Sequence, residues 1–141
     1  MSADQLFSIC NSIALLGWLI LAIAGPRRWA SHLTTGVIVP LLLAVAYLLL
    51  VVGHWGETKG GFGTLTDVAA LFSNRWLLLA GWIHFLCFDL FTGSWEVRDA
   101  QARGISHWLV IPCLFFTFMF GPVGLLFYFA LRIVRLRAIE V

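Results

Sequence analysis

Five side chains that could bind a metal ion or transfer protons lie between residues 84 and 107 of a chain with only 11% charged residues. They are His84, Asp89, Glu96, Asp99 and His107. Carboxylate oxygens and imidazole nitrogens are ligands for divalent cations, and the same groups serve as general acids and bases. The stretch therefore predicts either a divalent metal site, with His84, Asp89, Glu96 and Asp99 as ligands, or an acid/base pair.

Asp89 is the most informative of these residues because it lies inside the apolar run from Trp76 to Gly93. An ionisable group at the depth of the bilayer costs about 2.5 to 3.5 kcal/mol on insertion scales, so a polar partner or a function is expected for it. Asn11, in the first apolar run, is the preferred partner, because a buried amide in a membrane helix must itself find a hydrogen bond.

Helical spacing limits which of these groups can meet. Asp89 and Glu96 are seven residues apart, which places them on one helix face but about 10 Å apart along the axis. His84 and Asp89 lack the i, i+4 spacing of a helical metal site. A shared site would need a helix break near Gly93 and Ser94, or ligands from other spans.

Structural interpretations stay open for most of these residues. His84 can be a histidine hydrogen-bonded to a neighbouring helix. Glu96, Arg98, Asp99 and Arg103 can form a solvated loop, in which Asp99 and Arg103 have the i, i+4 spacing of an ion pair.

The composition predicts an integral membrane protein. The 141 residues are 61% hydrophobic, with a mean hydropathy of +0.95. Four runs are long enough to span roughly 30 Å of hydrocarbon as helices, and none shows the alternation of a membrane β-strand. The predicted spans are residues 7–24, 35–53, 75–93 and 108–133. The predicted fold is all-α: one domain over residues 1–141, built as a bundle of four transmembrane helices.

The segments between these spans also carry signals. Apolar residues recur at helical spacing after Thr64, which together with Thr66 is a candidate N-cap, so a short interfacial helix is expected between spans two and three. In the fourth span, Pro112 and the Gly121-Pro122 pair predict a kink near mid-membrane. With four spans the basic residues divide five against four between the two sides, so charge does not fix the orientation.

Several classes of protein and partner are excluded or left open. The basic residues form no nucleic-acid-binding stripe, and the three cysteines, in separate apolar runs, indicate neither a disulfide framework nor a zinc site. Membrane lipid is an expected partner, and a homo-oligomer or a larger membrane complex is possible. Because residues 1–10 lack the features of a signal or transit peptide, a bacterial cytoplasmic membrane is the expected location.

Aromatic side chains could form a binding surface. Phe88 and Phe91 can line a groove for a flat apolar ligand or simply face lipid, and Trp95 lies near a predicted span end, as expected for an interfacial belt. Together with Asn11, these are the candidate substrate-binding residues.

The sequence resembles a family of small four-span membrane proteins, the abscisic-acid-deficient-four-like family. The resemblance lies in Gly81-Trp82-Ile83-His84, Phe88-Asp89-Leu90-Phe91, Asp99, the His107 segment and Gly121-Pro122-Val123-Gly124-Leu125. The early Asn11 and the Gly25-Pro26 helix stop are also similar.

The resemblance implies a role in carotenoid metabolism. Plant members are required to form neoxanthin from violaxanthin, an isomerisation that opens an epoxide to an allenic alcohol without net redox change. Such a step needs an acid at the epoxide oxygen and a base for a carbon-bound proton. The resemblance thus implies catalytic roles for His84, Asp89, Asp99 and His107, directly or as ligands of a Lewis-acid metal. A non-enzymatic accessory subunit of a larger, for example photosynthetic, membrane complex is the alternative.

Overall fold

The computed structural model describes residues 1–139, and the secondary structure there is helical. The helices are α1 (Ala3–Ala24), α2 (Trp29–Glu57), α3 (Leu65–Phe72), α4 (Arg75–Ala102), α5 (His107–Phe120) and α6 (Pro122–Ile139). Three of them, α1, α2 and α4, are long and apolar enough to cross a membrane. This confirms the all-α class; the count of four spans is not confirmed.

Helix α1 begins at a capping box and ends where the sequence predicted. The hydroxyl of Ser2 accepts from the backbone N–H of Gln5, and the Gln5 side chain accepts from the N–H of Ser2. These bonds satisfy two donors that a helix start leaves unpaired. At the other end Gly25 caps the helix and Pro26 follows it.

Helix α2 opens with a wide π-helical segment, Trp29–Ile38, which continues into α-helix from Val39 to His54. The wide winding is stabilised by the hydroxyl of Thr35, which donates to the carbonyl of Ala30 five residues earlier at 3.0 Å. Small buried residues on this segment, such as Ser31 and Gly36, let α4 approach closely. The guanidinium of Arg98 donates to the Ser31 carbonyl at 2.7 Å.

The interfacial helix expected between spans two and three is α3. The hydroxyl of Thr64 accepts from the backbone N–H of Asp67 at 3.1 Å, so Thr64 is the N-cap. Helix α3 leads directly into α4, whose start is capped by the Asn74 side chain.

Helix α4 is longer than the predicted third span. It does not break at Gly93 but continues to Ala102. Gly93 lies against the ring of Trp18, where a Cβ would come within 2.7 Å of the indole, so this glycine serves close packing with α1. The interpretation of Glu96 to Arg103 as a solvated loop is therefore wrong for Glu96, which is fully buried.

The predicted fourth span is divided into two antiparallel helices. Along α5 the chain runs towards the start of α4, because Thr117 contacts Glu96 and Gly121 lies against Asp89. Along α6 it runs back towards the end of α4, where Tyr128 contacts Asp99. The rings of Phe116 and Phe127 lie 4.8 Å apart, centroid to centroid, although 11 residues separate them. A single kinked helix cannot make these contacts, because 11 helical residues extend about 16 Å. Helices α5 and α6 form a helical hairpin.

The hairpin turns at Gly121, which has φ +41°. Residues with a side chain rarely adopt this conformation, whereas glycine does so readily. Pro122 then begins α6, where its missing N–H has no cost. The backbone N–H of Gly121 donates to the Thr117 carbonyl at 2.9 Å, which satisfies a carbonyl at the end of α5. The predicted kink position is thus the position of a full reversal.

Candidate active site at the hairpin turn

Asp89 lies near the middle of α4 and faces the turn of the hairpin. It is 14 residues from the start of α4 and 13 from its end, about 20 Å in each direction. At Gly121 a Cβ would come within 2.6 Å of a carboxylate oxygen of Asp89. The carboxylate therefore lies beside the first turn of α6, whose backbone N–H groups lack partners within the helix and carry partial positive charge.

A cleft of about 450 Å³ opens beside this carboxylate, between α1, α4 and the hairpin. That volume is within the usual range for small-molecule sites. Its lining residues are Asn11, Trp18, Trp82, Phe85, Leu86, Asp89, Phe118, Met119, Phe120, Gly121 and Pro122. Asp89 is the one ionisable residue among them. Several of the aromatic walls, such as Phe85 and Phe120, are more than half exposed, so the cleft opens laterally on the apolar surface.

Asn11 lies in this cleft but bonds to Trp82. The indole N–H of Trp82 donates to the amide oxygen of Asn11 at 3.0 Å, and the amide nitrogen of Asn11 donates to the Phe7 carbonyl at 2.9 Å. Both bonds hold the amide against the cleft wall. Among the described side chains, those of residues 1–135, the Asp89 carboxylate has neither a hydrogen-bond nor an ion-pair partner, which leaves its oxygens directed at the cleft.

His84 belongs to a neighbouring cleft. That cleft has a volume of about 390 Å³, lies between α2, α3 and α4, and shares Phe85 with the Asp89 cleft. The imidazole of His84 packs 4.7 Å from the ring of Phe88 and 5.8 Å from that of Tyr47. His84 and Asp89 therefore face different cavities.

Glu96 is buried between α4 and α5. Its carboxylate oxygens lie 2.9 and 3.1 Å from the Thr117 hydroxyl, which is also 3.0 Å from the Cys113 carbonyl. Glu96 is fully buried, and burying its charged form without a partner of opposite sign is costly. Its role here is to join α5 to α4.

Asp99 joins α6 to α4. Its carboxylate accepts from the Tyr128 hydroxyl at 2.7 Å and pairs with Arg103 at 2.9 Å and Arg132 at 3.5 Å. The predicted Asp99–Arg103 ion pair is therefore confirmed. Trp95 packs beside this network, edge-on to the ring of Tyr128.

His107 joins the start of α5 to α1. Its Nε2 lies 2.8 Å from the Ala22 carbonyl, as expected when Nε2 carries the proton and donates. Its Nδ1 is buried and has no hydrogen-bond partner in the described part of the chain. Of the remaining candidate substrate-binding residues, Phe88 lies beside His84, and Phe91 lies under the Arg98 guanidinium, 5.8 Å from it.

The four candidate catalytic residues are thus distributed along the molecule. Among residues 1–139, no group of three or more His, Cys, Asp and Glu side chains could hold a metal ion, so the predicted ligand set is not brought together. Trp18 and Trp82, which line the Asp89 cleft, were not predicted from the sequence as binding residues. Gly121 was also not predicted as a wall, although the Gly-Pro pair that marked a kink was the available signal.

Comparisons with known proteins agree with the earlier resemblance. Residues 5–128 match the model of the family described as ABA DEFICIENT 4-like. Over 140 aligned positions the chain is 26% identical to Protein ABA DEFICIENT 4, chloroplastic, of Arabidopsis thaliana, covering 92% of this chain and 61% of that protein. The chain thus spans about three fifths of its relative's length. No solved structure matches.

The relative is chloroplastic by name, so the comparisons give no support to a bacterial cytoplasmic membrane as the location. The family match covers the helices that form the cleft, including α1, α4, α5 and the hairpin turn. This helical membrane protein belongs to the ABA DEFICIENT 4-like family.

Proposed function

We propose that the protein binds a carotenoid or a similar isoprenoid lipid in the Asp89 cleft and isomerises it, as in the opening of an epoxide to an allenic alcohol. The observation that carries the proposal is the Asp89 carboxylate, which lies near the middle of α4, has no partner among the described side chains, and faces an aromatic cleft that opens on the apolar surface. Membership of the ABA DEFICIENT 4-like family supports the substrate class.

The proposed reaction moves one proton and needs no oxidant. The epoxide C–O bond breaks at one carbon, a C–H bond on the neighbouring carbon breaks, and a new carbon–carbon double bond forms. Asp89 in its acid form donates its proton to the epoxide oxygen, and the resulting carboxylate accepts the proton leaving carbon. The oxygen gains one hydrogen, the carbon loses one, and Asp89 returns to its starting form, as general acid/base catalysis requires.

Three features of the cleft favour this chemistry. The apolar walls exclude water, which strengthens electrostatic interactions around the reacting atoms. The start of α6 lies beside Asp89 and favours negative charge there while the proton is on the substrate. The aromatic side chains of Trp18, Phe85 and Phe118 offer flat surfaces for a ring or a polyene.

The other candidate residues have smaller roles in this proposal. Asp99 and His107 are bonded to neighbouring helices and position the hairpin. His84 faces the adjoining cleft and takes no part in the proposed proton transfer. The proposed site needs no divalent metal.

The proposal is tested in cells that make an epoxy-carotenoid, by extracting pigments after expression of the wild type, Asp89→Asn or Asp89→Ala. We expect both variants to lower formation of the isomerised pigment by about 100-fold or more, because general acid/base groups contribute about 10² to 10⁴ to rates. Asp67→Asn is the matched control, since Asp67 lies in α3, away from the cleft. Equal protein levels and melting temperatures must accompany the comparison.

Unchanged pigments in Asp89→Asn, with the protein folded, would remove the catalytic proposal. A protein that retains pigment without converting it, and that purifies in mild detergent within a larger assembly at fixed stoichiometry, would instead be an accessory subunit.

A further inference from the structure

A second cleft continues the Asp89 cleft along the interface of α1 and α4. It has a volume of about 460 Å³, and its walls include Asp4, Phe7, Ser73, Arg75 and Trp82. Trp82 lines both clefts. Because Asp4 and Arg75 lie at the first turns of α1 and α4, this second cleft reaches the end of the bundle where both helices have a membrane boundary.

Together the two clefts are polar at both ends and aromatic in the middle. At the outer end the guanidinium of Arg75 pairs with the Asp4 carboxylate at 2.6 Å. In the middle the rings of Phe7 and Trp82 lie 5.9 Å apart, and Trp82 is 45% exposed, so a chain can lie across its indole. Asp89 is at the inner end. Arg75 and Asp89 are 14 residues apart, or about 21 Å along α4.

We infer that these clefts form one groove for a single elongated isoprenoid, whose reacting end lies at Asp89 and whose far end carries a hydroxyl that binds Arg75 and Asp4. This inference rests on the proposed function and adds a second polar subsite to it. A neutral hydroxyl suits the outer end, because it can donate to the carboxylate and accept from the guanidinium. A phosphate headgroup suits it less, since Asp4 repels an anion placed beside Arg75.

Trp82 is assigned as the residue over which the chain passes. Its indole N–H bond to Asn11 fixes the ring plane, so the indole face is a preformed surface for a conjugated chain. Trp82→Phe keeps an aromatic face but loses the bond to Asn11, whereas Trp82→Ala removes the surface. We expect Ala to lower ligand retention much more than Phe.

The test compares β-carotene with its 3,3′-dihydroxy derivative as probes. The protein is loaded with either pigment in detergent micelles, purified, and assayed for bound pigment by visible absorbance. We expect the wild type to retain the dihydroxy pigment about tenfold better, the factor that one additional hydrogen bond to charged groups can give. Arg75→Gln should remove most of this preference, and Lys59→Gln, which changes a basic residue outside the groove, should keep it.

Arg75 and Asp4 side chains are 67% and 76% exposed, so their pair adds little stability and Arg75→Gln should fold normally. Equal retention of both pigments by the wild type, or an undiminished preference in Arg75→Gln, would overturn the inference. A different result would overturn the proposed function, namely that Asp89→Asn converts the epoxide as well as the wild type does. If Asp89→Asn loses conversion while Arg75→Gln keeps the wild-type preference for the dihydroxy pigment, the proposed chemistry stands and only the outer subsite is removed.

Discussion

Asp89 and Glu96 show how two carboxylates on one helix acquire different roles from their surroundings. Glu96 is fully buried, with the Thr117 hydroxyl as its hydrogen-bond partner, while Asp89 faces a cleft and keeps its oxygens free of protein bonds in the described chain. A group already engaged by the fold cannot easily contact a ligand. The proposed chemistry therefore falls to Asp89, whereas Glu96 packs α5 against α4.

Glu96→Gln and Glu96→Ala should differ strongly in stability. Gln keeps the shape and can still hydrogen-bond to Thr117, so we expect a melting temperature near that of the wild type. Ala leaves a cavity between α4 and α5 and removes the hydrogen bond that joins them, while the Thr117 hydroxyl can still donate to the Cys113 carbonyl, so we expect a cost of about 2 to 4 kcal/mol. Thermal unfolding in detergent, followed by circular dichroism, measures both variants.

Pigment conversion gives the second readout for this pair. Glu96→Gln should convert pigment like the wild type, because Glu96 is not a wall of the Asp89 cleft. Loss of conversion in a stable Glu96→Gln protein would contradict the packing role and would make Glu96 part of the chemistry.

The hairpin of α5 and α6 is the element that builds the candidate site. It returns α6 to the side from which α5 starts and places Gly121 against Asp89. Non-helical backbone at membrane depth is tolerated where protein buries it or where it lines a cavity. Gly121 is buried and lines the cleft, so it meets both conditions.

Gly121→Ala should destabilise the hairpin by about 1 to 3 kcal/mol, because alanine is strained at φ +41°. The new methyl group would also collide with the Asp89 carboxylate, so conversion should fall along with stability. Gly53→Ala is the matched control. A Cβ at Gly53 meets open space, and alanine favours helix, so this variant should be neutral or slightly stabilised. Equal melting temperatures for the two variants would argue against the strained turn.

The helices themselves were largely predictable, and the hairpin was not. Three apolar runs became α1, α2 and α4, and Thr64 caps α3 as expected. A window of hydropathy cannot distinguish one span from two shorter apolar helices, so hydropathy alone predicts a fourth span over residues 108–133. Gly121-Pro122 marked where the helix ends, but the direction of α6 depends on contacts such as that between Tyr128 and Asp99.

The candidate site was only partly predictable for the same reason, because the sequence does not show how the helices pack. Asp89 was identified because a carboxylate in an apolar run is unusual in any arrangement. Trp82 and Gly121 could not be identified as its neighbours, since their positions follow from how α1 and the hairpin pack on α4. The sequence places Glu96 outside the third span because the apolar run ends at Gly93, whereas in the structure Gly93 packs against Trp18 and the helix continues.

At the scale of the whole molecule, the hairpin changes the distribution of charge across the membrane. A fourth span would have placed Arg132 and Arg135 with Lys59 and Arg75. The hairpin moves them to the side of Arg27, Arg28, Arg98 and Arg103. Among side chains that the structure describes, the Lys and Arg residues now divide six against two, which is decisive under the positive-inside rule.

We therefore expect the α1–α2 connection and the start of α5 to face the cytoplasm when the protein is made in a bacterial host. Cysteines introduced by Gly61→Cys and Ser106→Cys report the two sides, since both positions lie outside the long helices. Ser106 is exposed, and Gly61 is half-buried with open space where a side chain would project. A membrane-impermeant maleimide should label residue 61 on intact spheroplasts, and residue 106 after permeabilisation only. The natural cysteines are buried or half-buried, and the wild type provides the background.

The reverse labelling pattern would contradict this orientation. Labelling of both positions from outside would contradict the three-span arrangement itself, because α4 separates the two positions by its full length.

A structure determined with an epoxy-carotenoid bound to Asp89→Asn, the variant expected to bind without converting, would show whether the reacting end lies at residue 89. We expect the epoxide oxygen within hydrogen-bond distance of residue 89, about 2.6 to 3.2 Å, with the chain between α1 and α4. Density for the epoxide ring in the cleft of His84, or on the outer surface away from the hairpin turn, would contradict this expectation.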